Sequence, residues 1–198
     1  MPSILLHTCC GPCTIHPLDR LRDEGWGVHG YFYNPNIHPY QERQKRLEAL
    51  QSLAEQRDLP LIVRTEYELE HFLRAVAFRE EQRCVICYSM RLEATAMLAR
   101  KSGFDAFTST LLYSRYQKHA TIRSIAEAAA LKYSIPFFYQ DFRTGWSVGQ
   151  ETAKGMNLYR QQYCGCIYSE KDRYDRPGKR STPRSRSPKD DPSGGVDG

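Results

Sequence analysis

Short apolar segments of strand length alternate with longer amphipathic segments along most of the chain. The predicted strands are 3–8, 28–33, 61–64, 104–111 and 136–141, and the predicted helices are 16–24, 40–57, 68–77, 88–101, 121–133 and 149–160. Strands that alternate with helices of about ten residues or more require crossover connections, which build a mostly parallel sheet with helices on both faces. The sequence therefore predicts an α/β fold, whose ligands collect at the carboxyl ends of the strands.

The length and the seven cysteines limit the class of protein. A chain of 198 residues is long enough to bury a core without disulfide cross-links, so a disulfide-dense miniprotein is excluded. The sequence contains no apolar run of the roughly 18 residues that a membrane span needs. We therefore expect a soluble, cytoplasmic protein without membrane partners, in which closely spaced cysteines bind metal or carry out redox chemistry.

The formal net charge of +5 is unevenly distributed. Residues 173–198 hold seven basic and four acidic residues, a net of +3, with four prolines and few apolar groups. Such a composition does not repay the entropy of ordering. We expect one domain over residues 1–172 and a disordered basic tail over 173–198, which either reaches nucleic acid phosphates or is simply solvated.

Two cysteine pairs stand at positions suited to a metal. Cys9 and Cys10 directly follow the first predicted strand, and Cys84 and Cys87 have the two-residue spacing that lets both thiolates reach one centre. Together they provide four sulfur donors, which suit zinc or an iron–sulfur cluster. Adjacent cysteines fit separate iron corners better than one tetrahedral ion, so iron–sulfur is favoured. The alternative is that these cysteines pack as small apolar residues.

The remaining cysteines form a different pattern. Cys164 and Cys166 are separated by Gly165 alone, which favours a strained, reversible disulfide, with a second metal-ligand pair as the alternative. Cys13 is a packed residue, a spare thiol or a ligand to an additional metal ion, and we rank packing first. The cysteine pattern is therefore stronger evidence for a redox enzyme than the net charge is for a nucleic-acid-binding protein.

Several motifs resemble those of one known family, the cobalamin-independent epoxyqueuosine reductases of the QueH type. The resemblance covers residues 3 to 170 in order and excludes the tail. The motifs are His7-Thr8-Cys9-Cys10-Gly11-Pro12-Cys13, Asn34-Pro35-Asn36-Ile37-His38-Pro39, Cys84 with Cys87, Thr110-Leu111-Leu112, Tyr116-Gln117-Lys118-His119, Asp141-Phe142-Arg143 with Gly145-Trp146, and Tyr163-Cys164-Gly165-Cys166.

The resemblance implies a HUP-like α/β domain that reduces the epoxide of epoxyqueuosine at the tRNA wobble position, the last step of queuosine synthesis. It implies that Cys9, Cys10, Cys84 and Cys87 hold a [4Fe-4S] cluster. It further implies that Cys164 and Cys166 form a redox-active disulfide. An additional iron ion beside the cluster and an unidentified electron donor complete the expected components.

Further residues are candidates for proton delivery and RNA contact. Asp141 and His119 are hypothesised to assist proton delivery, because both stand at the expected active edge. The phosphate-contact candidates are Arg115, Lys118, His119 and Arg123, and the base-contact candidates are Tyr31, Tyr33, Tyr40, Tyr113 and Tyr116.

Two rival functions remain at this point: an ATP-dependent tRNA-modifying enzyme of the same fold, and a zinc-stabilised nucleic-acid-binding module without catalysis. The first is disfavoured because Cys9 and Cys10 occupy the place of small phosphate-loop residues. The second leaves Cys164 and Cys166 without a purpose.

Overall fold

The structure is a computed structural model that describes residues 1–175. Within these residues, four parallel strands form a single sheet. The strands are β1 (Ser3–His7), β2 (Gly27–Phe32), β3 (Leu61–Val63) and β4 (Ala106–Ser109), in the order β3-β2-β1-β4. Most of the predicted tail, 176–198, lies outside the described residues.

The strand order reverses direction beside β1. The chain moves from β1 outward to β2 and β3, and then returns to place β4 on the other side of β1. Right-handed crossovers put the helices of the outward and returning connections on opposite faces of the sheet. The α/β class with helices on both faces is confirmed, and the crevice for ligands is at the carboxyl ends of β1 and β4.

Seven α-helices accompany the sheet within the described residues. They are α1 (Gly11–Asp23), α2 (Tyr40–Gln56), α3 (Leu69–Val76), α4 (Arg83–Lys101), α5 (His119–Tyr133), α6 (Trp146–Gly155) and α7 (Ile167–Tyr174). Helix α1 packs against α2 and α6, whereas α4 packs against α5 and the central strands. The residues of β1 from Ile4 to His7 are completely buried between these layers.

Two helices begin five residues earlier than the sequence predicts, and α5 and α6 begin two and three residues earlier. Helix α1 starts at Gly11 and continues through Pro17. Pro12 is tolerated in the first turn because the amide hydrogens there have no partner within the helix, so a missing one costs no hydrogen bond. Helix α4 starts at Arg83, so both Cys84 and Cys87 lie in its first turns. A final helix, α7, was not predicted, and its last two residues lie beyond the expected domain boundary at 172.

The prediction of a strand over 136–141 is wrong. This segment makes a single bridge between Phe137 and Phe107 of β4. Pro136 has no amide hydrogen for a ladder, and Asp141 instead caps the short 3-10 helix Phe142–Gly145 by accepting the Arg143 amide. The predicted strand 104–111 also ends early, because Thr110–Leu112 forms a 3-10 turn.

Candidate active site

The carboxyl ends of β1 and β4 bring Cys9 and Thr110 together. The Cys9 amide donates to the Thr110 hydroxyl at 3.2 Å, and that hydroxyl lies 3.5 Å from Cys9 Sγ. The chain leaves strand geometry at this point because Cys10 is the N-cap of α1. The reversal of strand order therefore places Cys9 in the crevice, with Cys10 buried beside it.

Three thiols form a tight group at the start of α1. The Sγ atoms of Cys9, Cys10 and Cys13 all lie within 4.8 Å of one another, and no other such group of three metal-binding side chains occurs in residues 1–175. Cys10 and Cys13 are buried, and the Gln161 amide donates to Cys13 Sγ at 3.1 Å. Cys13 is therefore not merely packed, as the sequence analysis ranked first, because it is also part of a group that can hold a metal.

Electrostatics favours one thiolate in this group. Hydrogen bonds with the thiols of Cys10 and Cys13 lower the pKa of Cys9 well below its usual value. Burial raises the pKa of Cys10, and the hydrogen bond with Cys10 raises that of Cys13. A thiolate is the metal-binding form of cysteine, and the lowered pKa of Cys9 favours that form.

Cys84 and Cys87 lie near the start of α4, outside the tight group. Burial raises the pKa of the Cys87 thiol to about 12, although the Arg91 guanidinium acts in the opposite direction. Arg91 stands one turn further along the same helix, and its Nη2 lies 2.9 Å from Cys87 Sγ. Cys87 of the second cysteine pair thus lies beside the positive charge of Arg91.

Two arginines are buried around the cysteines. Arg46 of α2 is 1% exposed and pairs with the carboxylate of Glu42 at 2.8 Å. Arg91 is 2% exposed, and it forms no ion pair with a carboxylate of the described chain. The charge of Arg91 therefore has no carboxylate partner, and Cys87 Sγ lies 2.9 Å from its Nη2.

The Cys164–Gly165–Cys166 segment is attached through its backbone. Arg46 donates to the carbonyls of Tyr163 and Cys164, each at 2.9 Å. The His38 amide donates to the Gly165 carbonyl at 2.8 Å. Gly165 has φ of +133°, a conformation that side chains resist, which explains the glycine between the cysteines. Helix α2 and the turn before it therefore hold this segment at the site.

Cys164 and Cys166 have different surroundings. Both are free thiols, but Cys164 is exposed, whereas Cys166 is 7% exposed and caps α7 by accepting the Ser169 amide. The Gln117 amide donates to Cys164 Sγ at 3.1 Å, and Tyr88 fixes that amide by donating to its oxygen at 2.7 Å. A hydrogen-bonded chain from α4 thus reaches the exposed thiol.

A cavity of about 370 Å³ joins these features. Cys9, Cys13 and Cys164 all contribute to its wall, as do both buried arginines. The other residues that line it include Thr110, Tyr116, Gln117, Trp146, Gln150, Arg160, Gln161 and Tyr163. Its volume lies in the range of small-molecule pockets.

The two proton-delivery candidates do not line this cavity. Asp141 is paired with Arg143 at 2.6 Å, and this hydrogen-bonded pair lowers the pKa of Asp141 to about 2. Asp141 is therefore bound to Arg143 and does not line the cavity, and its role in proton delivery stays a prediction. His119 contacts Tyr139 instead, with 3.2 Å between Nε2 and the hydroxyl oxygen.

The structure separates the RNA-contact candidates. Tyr31 and Tyr113 are buried in the core, and Arg123 pairs with Glu127, whereas Tyr116 is 85% exposed at the cavity. Arg115 lies over the Trp146 ring with 5.9 Å to its centroid. Of these candidates, Tyr116 lines the cavity, and Arg115 lies beside the lining residue Trp146.

Four polar residues of the site were missed from the sequence: Arg46, Arg91, Gln117 and Gln161. The spacing of four residues between Cys87 and Arg91 on one helix was a usable signal, since such residues share a face. Gln161 and Arg46 reach the site only through tertiary packing. No local pattern marks them.

No helix in residues 1–175 combines the length and apolar character that crossing a membrane requires.

Comparison with known proteins gives consistent matches. The family model described as "Epoxyqueuosine reductase QueH" matches residues 4–172. A protein of that description from Dehalococcoides mccartyi is 40% identical over 176 residues, which cover 89% of this chain and 97% of the relative. Another from Thermotoga maritima is 35% identical over 187 residues, covering 89% and 94%.

One solved structure is similar in fold. It is the crystal structure of a predicted subunit of tRNA methyltransferase from Methanocaldococcus jannaschii, with a TM-score of 0.54, 13% identity, and coverage of 78% of this chain and 75% of that one. At this identity the likeness concerns the fold alone, and it agrees with the α/β class.

Proposed function

The chain belongs to the epoxyqueuosine reductase QueH family, and from this premise we propose which of its cysteines carry out the reaction. The protein is an oxidoreductase that converts epoxyqueuosine to queuosine in tRNA. Opening the epoxide to an alkene consumes two electrons and two protons and releases one water. The site must therefore supply a pair of electrons together with a pair of protons.

We assign the pair to Cys164 and Cys166. Two S–H bonds break and one S–S bond forms when this dithiol is oxidised, which yields the two electrons and two protons that the reaction consumes. Cys164 lines the cavity, whereas Cys166 is buried beside it. An external reductant, the electron donor of the reaction, then restores the dithiol.

We assign the cluster to Cys9, Cys10, Cys84 and Cys87, as a [4Fe-4S] cluster. Such a cluster, when bound, supplies single-electron transfer and a Lewis-acidic iron for the epoxide oxygen. The supporting observation is Arg91: a buried guanidinium whose near neighbour is Cys87 Sγ fits an anionic sulfur assembly. Cys13 offers a further donor for an additional iron ion beside Cys9 and Cys10.

Iron content tests the cluster assignment with matched variants. Protein purified without oxygen should be brown and contain about four iron and four sulfide per chain. Cys84→Ala should lose most of the iron and all turnover of epoxyqueuosine tRNA, whereas Cys13→Ala should keep the brown cluster. Colourless protein that contains zinc, or loss of the cluster in Cys13→Ala but not in Cys84→Ala, would refute the assignment.

The electron-pair assignment has a separate test. Wild-type protein, reduced and freed of external reductant, should convert epoxyqueuosine tRNA once and leave Cys164 and Cys166 as a disulfide. Cys166→Ser should keep the iron but fail this single turnover. Single turnover without loss of the two thiols would refute the assignment.

A further inference from the structure

Two aromatic side chains stand at the mouth of the cavity. Tyr116 is 85% exposed, and its ring meets that of Trp146 edge to face, with 5.8 Å between the centroids. Both residues line the cavity that contains Cys9 and Cys164. An exposed tyrosine in this place contributes little to the stability of the fold, because most of its surface stays in water.

The fold holds Trp146 firmly in place. Its ring packs against the buried Tyr113 ring at 5.1 Å, and its carbonyl accepts the Tyr113 hydroxyl at 3.1 Å. Gly149, one turn along α6, allows this contact, because a Cβ there would lie 2.4 Å from the Tyr113 hydroxyl. The tryptophan is therefore a rigid base for the exposed Tyr116 ring.

A single unstacked nucleotide is the form of the substrate that suits this mouth. The reacting ring is attached to a base, and a base stacked within the anticodon does not reach thiols inside a cavity. Enzymes that modify bases take the target out of the stack, and unstacked RNA bases rest on aromatic side chains. Arg115 beside Trp146 and Arg160 on the cavity wall supply positive charge for the neighbouring phosphates.

We propose that Tyr116 and Trp146 form the platform on which the unstacked wobble base rests while its epoxide enters the cavity. The inference depends on the proposed function, since it assigns the substrate-binding part of the same site. Tyr116 supplies the exposed ring face, and Trp146 orients it. The hydroxyl of Tyr116 has no part in this role.

A binding cycle tests the platform. The loaded enzyme and its Tyr116→Ala variant are each titrated with two anticodon stem-loop RNAs, one with guanine and one with an abasic site at the wobble position. Stacking of a base contributes about 1–3 kcal/mol, so Tyr116→Ala should weaken binding of the guanine RNA about 5- to 150-fold. The same variant should bind the abasic RNA as the wild type does.

Conservative and control variants complete the test. Tyr116→Phe should restore binding, since the ring is retained, and Phe78→Ala removes a fully exposed aromatic residue outside the cavity and should change nothing. Equal weakening of both RNAs by Tyr116→Ala, or no weakening of either, overturns the platform. Failure of the wild-type enzyme to convert epoxyqueuosine tRNA would instead overturn the proposed function. The binding measurements do not depend on that conversion.

Discussion

At the residue scale, exposure separates the two thiols of the Cys164–Gly165–Cys166 segment. Cys164 is exposed and accepts a hydrogen bond from Gln117, whereas burial raises the pKa of Cys166. Because the thiolate is the reactive form, limited alkylation of the reduced protein with iodoacetamide should modify Cys164 at least about tenfold faster than Cys166. Peptide mass mapping over time measures both rates.

A variant of Gln117 tests the effect of the hydrogen bond on the reactivity of Cys164. Gln117→Leu removes the donor to Cys164 without touching Cys166, so alkylation of Cys164 should slow about twofold to tenfold, in line with the loss of one hydrogen bond. The rate at Cys166 should not change. Faster alkylation of Cys166 than of Cys164 would contradict the assignment of Cys164 as the accessible thiol.

His38 makes stability depend on pH. Burial lowers its pKa to about 4, against about 6.5 in an unfolded chain. Between these values the unfolded chain binds a proton that the folded chain does not, so stability falls as the pH drops from about 6.5 to about 4. His38→Gln should therefore reduce the decrease in unfolding free energy between pH 7.5 and pH 5 by about 2 kcal/mol.

Denaturant titration of both proteins at the two pH values measures this difference. His38 also contacts the Tyr67 hydroxyl, with 3.0 Å from Nδ1 to the oxygen, so the variant has a pH-independent cost as well. Only the change between the two pH values bears on the titration. An identical change in both proteins would show that His38 is not the group responsible.

At the element scale, the approach of α1 to α2 depends on Gly11. A Cβ on Gly11 would lie 2.5 Å from the Ala49 carbonyl oxygen, which belongs to the backbone of α2 and has little room to move. Gly11→Ala should therefore destabilise the protein by about 1–3 kcal/mol and reduce its iron content, since Cys10 and Cys13 flank this position.

Gly155 provides the matched substitution. It ends α6 with nothing within 4 Å of its added Cβ, so Gly155→Ala should leave stability unchanged or raise it by up to about 1 kcal/mol. Thermal melting of both variants measures the contrast. Equal melting temperatures would show that α1 and α2 can separate at no cost.

The elements that alternate along the chain were predictable because each carries its own periodicity. Strand β1, strand β2 and helix α2 lie within a residue or two of their predicted positions. The early start of α1 was not predictable, because prolines mask a helix whose first turn tolerates them. The segment 136–141 was predicted as a strand from its apolar residues, but pairing also depends on a neighbour and on amide hydrogens.

The candidate site was predictable in part of its cysteines and in Tyr116. The position of Cys9 and Cys10 after a strand is a local property, whereas the membership of Cys13 in the tight group was not predicted, because packing was ranked first for it. Arg46 and Gln161 reach the site from segments distant in sequence, with partners at 164 and 13. Such contacts belong to the tertiary fold, and a single sequence carries no sign of them.

At the scale of the whole molecule, the contribution of the charged tail to tRNA binding can be tested separately from that of the domain. Residues 176–198 carry six basic and three acidic residues, a net of +3. Since each phosphate contact adds about 0.7 to 0.9 to the salt dependence of binding, ending the chain at Asp175 should lower the slope of log Kd against log salt by up to about 3. Turnover at saturating tRNA should not change.

Replacing the six basic residues by glutamine in the full-length chain separates charge from length. This variant should reproduce the reduced salt slope of the shortened chain, as measured by tRNA titration at several salt concentrations. If both variants bind with the wild-type slope, the tail does not contact the tRNA.

The backbone attachment of the Cys164–Gly165–Cys166 segment also constrains when this part of the site forms during synthesis. Arg46 is synthesised long before the two carbonyls that it binds at residues 163 and 164. The side chain of Arg46 therefore has no partner in this segment until the last part of the domain has left the ribosome. The cavity wall that contains Cys9 and Cys164 is complete only at that point.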